Sequence, residues 1–301
     1  MPFEVLAVIE NQLDLLASTC LGPHLHDREF CCVLLEGSGI TDDDLEFAAR
    51  ISKDIGSFTP PVIDLRRQPY NQELLSALFR DYRKAACLVF RPPGVVLSRA
   101  LDSHGSVVVL QPAQVGVLLG QALPATVAEA YRGAGAGMSP TPPAEGYILA
   151  DVTILEGWAE ERVVGHLGNL LHDVAQWQDL TLVWSMPLLE RPNRPATTPR
   201  DRLLILEGTS VTAWVNFLAH ARLVITDRTD VAIAACLLQV PCVTLGDRTD
   251  APETVRVGAN LLAGANLAEL QYCAAVMLRR VGRWIPPFEQ RGELITLSAA
   301  Q

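Results

Sequence analysis

Short apolar runs of strand length recur along the first half of the chain: EVLAVI at 4–9, FCCVLLEG at 30–37, PVIDL at 61–65, ACLVF at 86–90 and SVVVL at 106–110. They do not alternate with polar residues, so the sheet they form should be covered on both faces. Helical patterns lie between them. The clearest is TDDDLEFAARISKDIG, where Thr41 is a candidate N-cap, three aspartates face the positive end of the helix dipole and Gly56 can end the helix. This half reads β-α-β-α-β-α-β, a parallel sheet with helices on both sides.

The pattern breaks at GAGAGMSPTPPAEG, where glycine and proline deny the backbone regular hydrogen bonding, and a linker is expected over 134–146. The rhythm then resumes with GYILADV at 146–152, a helix near 158–177, DLTLVW at 179–184, LLILEG at 203–208, a helix near 210–221, RLVITD at 222–227, a helix near 230–239, PCVTLGD at 241–247, ANLLAG at 259–264 and a last helix near 267–281. In the helix near 158–177, Val163, Leu167, Leu170 and Val174 recur at helical spacing and should face the sheet. The last helix should pack through Leu267, Leu270, Ala274, Met277 and Leu278. The expected architecture is α/β: a Rossmann-like domain over 1–133, a second over 147–283 and a tail over 284–301, each domain with its own parallel sheet.

Length and composition agree with this picture. A chain of 301 residues exceeds one ordinary core, and 49% hydrophobic against 19% charged residues excludes disorder. No apolar run approaches a membrane span, and the N-terminus lacks a basic region and cleavage site, so a cytoplasmic protein is expected. With 24 Lys plus Arg against 34 Asp plus Glu, the net charge of −10 gives no general field for nucleic acid or an anionic membrane. Seven cysteines without CxxC spacing suit a reducing compartment and argue against a zinc site. His24 and His26 in GPHLHD read as loop residues, and Asp102, Ser103 and His104 are only sequence neighbours, so neither group is taken as a metal or catalytic site. The arginines of ERPNRPATTPRDR at 190–202 read as those of a solvated loop. No cofactor and no metal are expected.

In open parallel sheets ligands bind beyond the carboxyl ends of the strands. Two loops qualify. After VITD come Asp227, Arg228, Thr229 and Asp230 entering a helix, and after VTLGD come Asp247, Arg248, Thr249, Asp250, Pro252 and Glu253 entering another. Arg228 and Arg248 could counter a diphosphate, with Thr229 and Thr249 donating hydroxyls. The opposing reading is that Asp230 and Asp250 cap helices and the arginines pair with them. Asp227, Arg228, Thr229, Arg248, Thr249 and Glu253 are therefore the candidate ligand residues, for a UDP-sugar or another anionic small molecule. If the two arginines grip an anion, replacing both by alanine should abolish binding with little change in melting temperature.

At VITDRTDVAIAACLLQVPCVTLGDRTDAPETVRVGANLLAG the sequence resembles the UDP-N-acetylglucosamine 2-epimerases, over roughly Ile148 to Arg279. The family pattern TDSGGxQEEAxxLGxPVLxxRxxTERPExxxxGxxxLVG coincides in register with Thr226, Asp227, Ala235, Pro241, Thr249, Pro252, Glu253, Gly258 and Gly264. The resemblance implies the two-domain GT-B fold, here with a shortened first domain, an active site between domains, and a dimer. The departures fall where the family binds and reacts. Its Ser-Gly-Gly is Arg228, Thr229 and Asp230, its following glutamates align with Ile233 and Ala234, and of its Gly-His-Arg-Arg-Glu-Asn stretch, aligned with 152–157, only Glu156 survives. In the first domain no carboxylate stands in FRPPG at 90–94 or LQPAQVG at 110–116, the counterparts of the family's acid and base loops. No catalytic residue is assigned. One reading is a protein without epimerase activity that acts as a binding or scaffold subunit, as a homodimer or with a related active enzyme. The alternative is a remodelled sugar-nucleotide enzyme, an epimerase, hydrolase or glycosyltransferase of glycan or cell-surface polysaccharide metabolism.

Overall fold

The computed structural model describes residues 4–25, 28–35, 39–54, 59–68, 72–82, 84–102, 106–134, 141–152, 171, 173–185, 202–206, 208–264, 267–280 and 283–288. By contacts the chain divides into Met1–Ala122 with Phe288–Gln301, and Leu123–Pro287. This is a different division from the glycine- and proline-rich stretch at 134–146, of which 135–140 lie outside the described residues. It falls within a helix, next to Pro124, which has no N–H to offer the carbonyl of Gly120.

The first unit is a five-stranded parallel sheet of β1 (Val5–Ile9), β2 (Phe30–Leu34), β3 (Val62–Asp64), β4 (Ala86–Val89) and β5 (Val107–Val109), in the order β3-β2-β1-β4-β5. The three inner strands are buried on both faces, as their non-alternating sequences predict. The expectation of two-sided cover fails at β3 and β5: Val62 and Val107 are exposed, because each strand lies at an edge. The connecting helices are α1 (Gln12–Ser18), α2 (Asp42–Asp54), α3 (Gln72–Asp81) and α4 (Val95–Leu101), and Leu75, Phe79, Leu97 and Ala100 close one face over Leu6, Val8, Cys31, Val33, Cys87 and Val89. Thr41 caps α2 as predicted: its Oγ1 accepts from the Asp44 amide at 3.2 Å, while the Asp44 carboxylate accepts from the Thr41 amide at 2.8 Å.

A helix that the apolar runs do not mark follows, α5 (Pro112–Ala134). It begins where the Gln111 amide donates to the Gln114 side chain at 2.6 Å, so the LQPAQVG stretch opens a helix.

The second unit holds β6 (Tyr147–Asp151), β7 (Thr181–Ser185), β8 (Leu203–Leu206), β9 (Leu223–Thr226), β10 (Cys242–Thr244) and β11 (Asn260–Leu262), all parallel, in the order β11-β10-β9-β6-β7-β8. Its helices are α6 (Val211–His220), α7 (Thr229–Leu237), α8 (Pro252–Arg256) and α9 (Leu267–Leu278), with residues 173–177 also helical. Val174, Leu270, Ala274 and Met277 are buried as predicted, together with Leu171 and Cys273, in one cluster over Ile148, Ala150, Trp184, Ile225 and Val243. Leu278 packs at its margin. Val163, Leu167 and Leu170 lie outside the described residues.

Candidate functional site

Each sheet reverses its winding once. In the second unit the chain runs outward from β6 to β7 and β8, returns to β9 on the other side of β6, and continues to β10 and β11. The carboxyl ends of β6 and β9 therefore flank the switch point, where an open α/β sheet offers its binding crevice.

Asp151 ends β6 and is buried. Arg228 follows β9 and precedes α7, with its amide donating to Thr226 Oγ1 at 3.0 Å. Its guanidinium spans the switch: Nη1 donates to Asp151 Oδ1 at 3.1 Å, while Nε and Nη2 fork onto Asp230 at 3.2 and 2.7 Å. The second Asp151 oxygen accepts from the indole of Trp214 on α6 at 2.9 Å, and that indole also reaches Ser185 Oγ at the end of β7, 3.2 Å away. Asp230 sits in the first turn of α7, and its carboxylate accepts from the Val231 amide at 3.0 Å. The chain's own carboxylate thus occupies the positive end of α7, and its own cation neutralises that carboxylate.

The positions after Asp230 turn apolar. Ile233 and Ala234, the residues aligned with the family's glutamates, are buried. Neither side chain can accept a hydrogen bond.

The second candidate loop is built differently. Gly246 has φ +148° and bridges to Gly264, which turns the chain out of β10. Asp247 and Arg248 are almost fully exposed and pair with each other at 3.8 Å, so Arg248 does not pair with Asp250 as the capping alternative supposes. Thr249 Oγ1 accepts from the Ala251 amide at 3.2 Å and sets up the entry to α8, with Pro252 at its start and half-buried Glu253 in its first turn. Beneath this loop Asn260, Thr244 and Thr254 form a buried network, with Asn260 Nδ2 donating to Thr244 Oγ1 at 2.8 Å and to Thr254 Oγ1 at 3.3 Å. Gly258 follows α8 with φ +74°, the left-handed end its position predicts.

The first unit repeats the second unit's central pairing. Its switch lies between β1 and β4, and there Arg91, just beyond β4, donates to the buried Asp14 of α1 at 2.6 Å. The other Asp14 oxygen accepts from the Glu10 amide at 3.0 Å. Sequence reasoning missed Asp14, Arg91, Asp151, Ser185 and Trp214. The available signal was a charged residue ending an otherwise apolar strand, YILAD, and an arginine opening FRPPG.

Among the described residues no group of three or more His, Cys, Asp or Glu side chains converges as a metal site. His24 lies 3.4 Å from the Gln121 amide nitrogen, whereas His26, Ser103 and His104 fall outside the described residues, as do 153–157 and most of the arginine loop. All seven cysteines are buried and free. No helix of the described residues is long and apolar enough to cross a membrane.

Two Rossmann-type parallel sheets, each with a switch point at the carboxyl ends of its strands, define a doubly wound α/β protein. The sequence model of the UDP-N-acetylglucosamine 2-epimerase family matches residues 126–290, and the chain belongs to that family. The curated epimerase of Methanocaldococcus jannaschii is 39% identical over 87 residues, 29% of this chain and 24% of that protein. That of Methanococcus maripaludis is 37% identical over 84 residues, 28% of this chain and 23% of the relative. These alignments thus span about a quarter of either relative. The fold likeness is wider. The crystal structure of the M. jannaschii enzyme in complex with UDP-GlcNAc and UDP has a TM-score of 0.66 at 15% identity, covering 98% of this chain and 97% of that one. The Neisseria meningitidis enzyme bound to UDP-GlcNAc has a TM-score of 0.65 at 12% identity, covering 95% of both. The fold is that of the GT-B epimerases.

Proposed function

We propose that this chain is a family member without epimerase activity, serving as a binding or scaffold subunit, either as a homodimer or beside a related active enzyme. The observation that carries the reading is the engagement of Arg228 by Asp151 and Asp230 at the start of α7. Epimerisation by elimination and re-addition of UDP needs a diphosphate grip and groups that remove and return a proton. In this chain the position that the family pattern fills with Ser-Gly-Gly carries two side chains of opposite charge bound to each other. For Arg228 to grip an external diphosphate it would have to abandon two carboxylates, leaving Asp230 to repel the newcomer. Arg248 is exposed, and any residual affinity for a UDP-sugar or another anion would rest on it, Thr249 and Glu253.

The test is incubation with UDP-N-acetylglucosamine in heavy water followed by proton NMR, with calorimetry of UDP and the UDP-sugar alongside. The expected result is no deuterium at sugar carbon 2 and no strong binding of UDP. Exchange at that carbon would overturn the reading and establish the remodelled enzyme in its place.

A further inference from the structure

The amino edge of the second sheet, opposite its switch point, carries a basic surface. α8 ends at Arg256, just ahead of β11, and the guanidinium of Arg280, beyond the end of α9, lies against Gly258 between them. Arg283 follows, and then Trp284, whose indole donates to the Cys236 carbonyl at 2.9 Å in the last turn of α7, which leads into β10. Arg256, Arg279, Arg280 and Arg283 are all exposed, and none of them is in an ion pair among the described residues. Ile285, next to Trp284, is 81% exposed. Residues 270–288 contain no Asp or Glu, and the acid that shares α8 with Arg256, Glu253, is half-buried in its first turn.

A cation at a helix C-terminus is favoured by the dipole, which accounts for Arg256 and Arg279. That effect fades beyond the last turn and gives no reason for Arg283 or for Ile285 in water. In a chain of net charge −10, four unpaired cations at one edge reverse the local sign. Exposed guanidiniums take carboxylates through paired N–H bonds, and arginine beside an apolar anchor is the composition of protein interfaces. We propose that this surface docks an acidic segment of a partner protein, its carboxylates on Arg256, Arg279, Arg280 and Arg283 and an apolar side chain on Ile285. The charge balance requires a short occupant. A nucleic-acid duplex or an anionic bilayer would extend past the four arginines onto a surface where acids are in excess. A short segment stays within the distance of about 8 Å over which the cations act at physiological salt. The edge lies opposite the crevice, so docking there is independent of whether the chain is catalytic.

Fluorescence anisotropy of the full chain with a labelled Glu-Glu-Leu-Glu-Glu peptide tests it, with Gln-Gln-Leu-Gln-Gln as the uncharged counterpart. The acidic peptide should bind, more weakly as salt is raised, and the glutamine peptide should not. Arg256→Glu combined with Arg283→Glu should weaken binding by about tenfold with an unchanged melting temperature, since neither side chain is buried or paired. Ile285→Ser should weaken it as well. Arg80→Glu combined with Arg99→Glu makes the same change in net charge on exposed helix ends of the first unit and should leave the affinity as it was. Absence of binding, or equal loss in the two double variants, would overturn the proposal. So would tighter binding of a single-stranded oligonucleotide or of phosphatidylglycerol vesicles through the same arginines, which would assign the surface to another class of partner.

Discussion

Arg228 and Asp151 meet at the switch point of the second sheet, 3.1 Å apart, although 77 positions separate them in the chain. Arg91 and Asp14 stand in the corresponding place in the first sheet, 2.6 Å apart and again 77 positions distant. In both units the crevice where this fold usually receives a ligand is crossed by an internal ion pair.

The first prediction follows from that burial. Arg228→Ala leaves Asp151 and Asp230 without their cation, and breaking a buried pair of this kind costs about 3 kcal/mol. Arg248→Ala removes only an exposed pair and should shift stability by less than about 0.5 kcal/mol. Denaturant titration of the two single variants checks this. Equal, small shifts would show that Arg228 is not held as described, and would restore the expectation that both arginines can be lost at little cost.

In the first unit, Asp14→Ala removes the acceptor of both Arg91 and the Glu10 amide. Loss of hydrogen bonds to a buried charged group costs about 1.5–3 kcal/mol. Urea unfolding should register the change, and a neutral result would mean that water or a neighbouring group replaces the carboxylate.

Gly258 offers a backbone test. At φ +74° a side chain is strained, and a Cβ there would lie 2.4 Å from the Arg280 guanidinium. Gly258→Ala should cost about 1–2 kcal/mol from the left-handed conformation, with Arg280 displaced. A melting temperature equal to that of wild type would refute the strain.

The cysteines give a pH prediction. Burial pushes the Cys32 and Cys87 thiols up to about 12, and Cys236 to about 11 against the opposing hydrogen bond from Trp284. The folded chain therefore keeps protons that the unfolded chain loses above the ordinary thiol value of 9.0. Their contribution to stability is complete below that value and is lost as pH rises towards about 12. A thiol reagent at pH 8 should label the native chain slowly and the denatured chain at all seven cysteines. Rapid native labelling would contradict the burial.

Elements whose physics is local were legible in the sequence. The inner strands, the Thr41 cap and the Gly258 turn each follow from a few neighbouring residues. The α5 helix was hidden because Pro112, Pro124 and the glycines between them read as breakers. The pairing of Arg228 with Asp230 lies two residues away and stood among the alternatives. Asp151 and Trp214 could not be joined to it, since only the strand order of the folded sheet brings the ends of β6 and β9 together with α6.

The last described residues tie the chain's end to elements made much earlier. Trp284 donates its indole N–H to the Cys236 carbonyl at 2.9 Å and exchanges contacts with Gln239, closing the end of α7 from 45 positions downstream. Phe288 packs on Gly116, where a Cβ would lie 2.3 Å from its ring. During synthesis the first unit emerges first and can begin to fold, yet the ring that covers Gly116 leaves the ribosome after the whole second sheet. The unit that starts first is completed last, so a nascent chain halted after α9 would hold two incomplete domains.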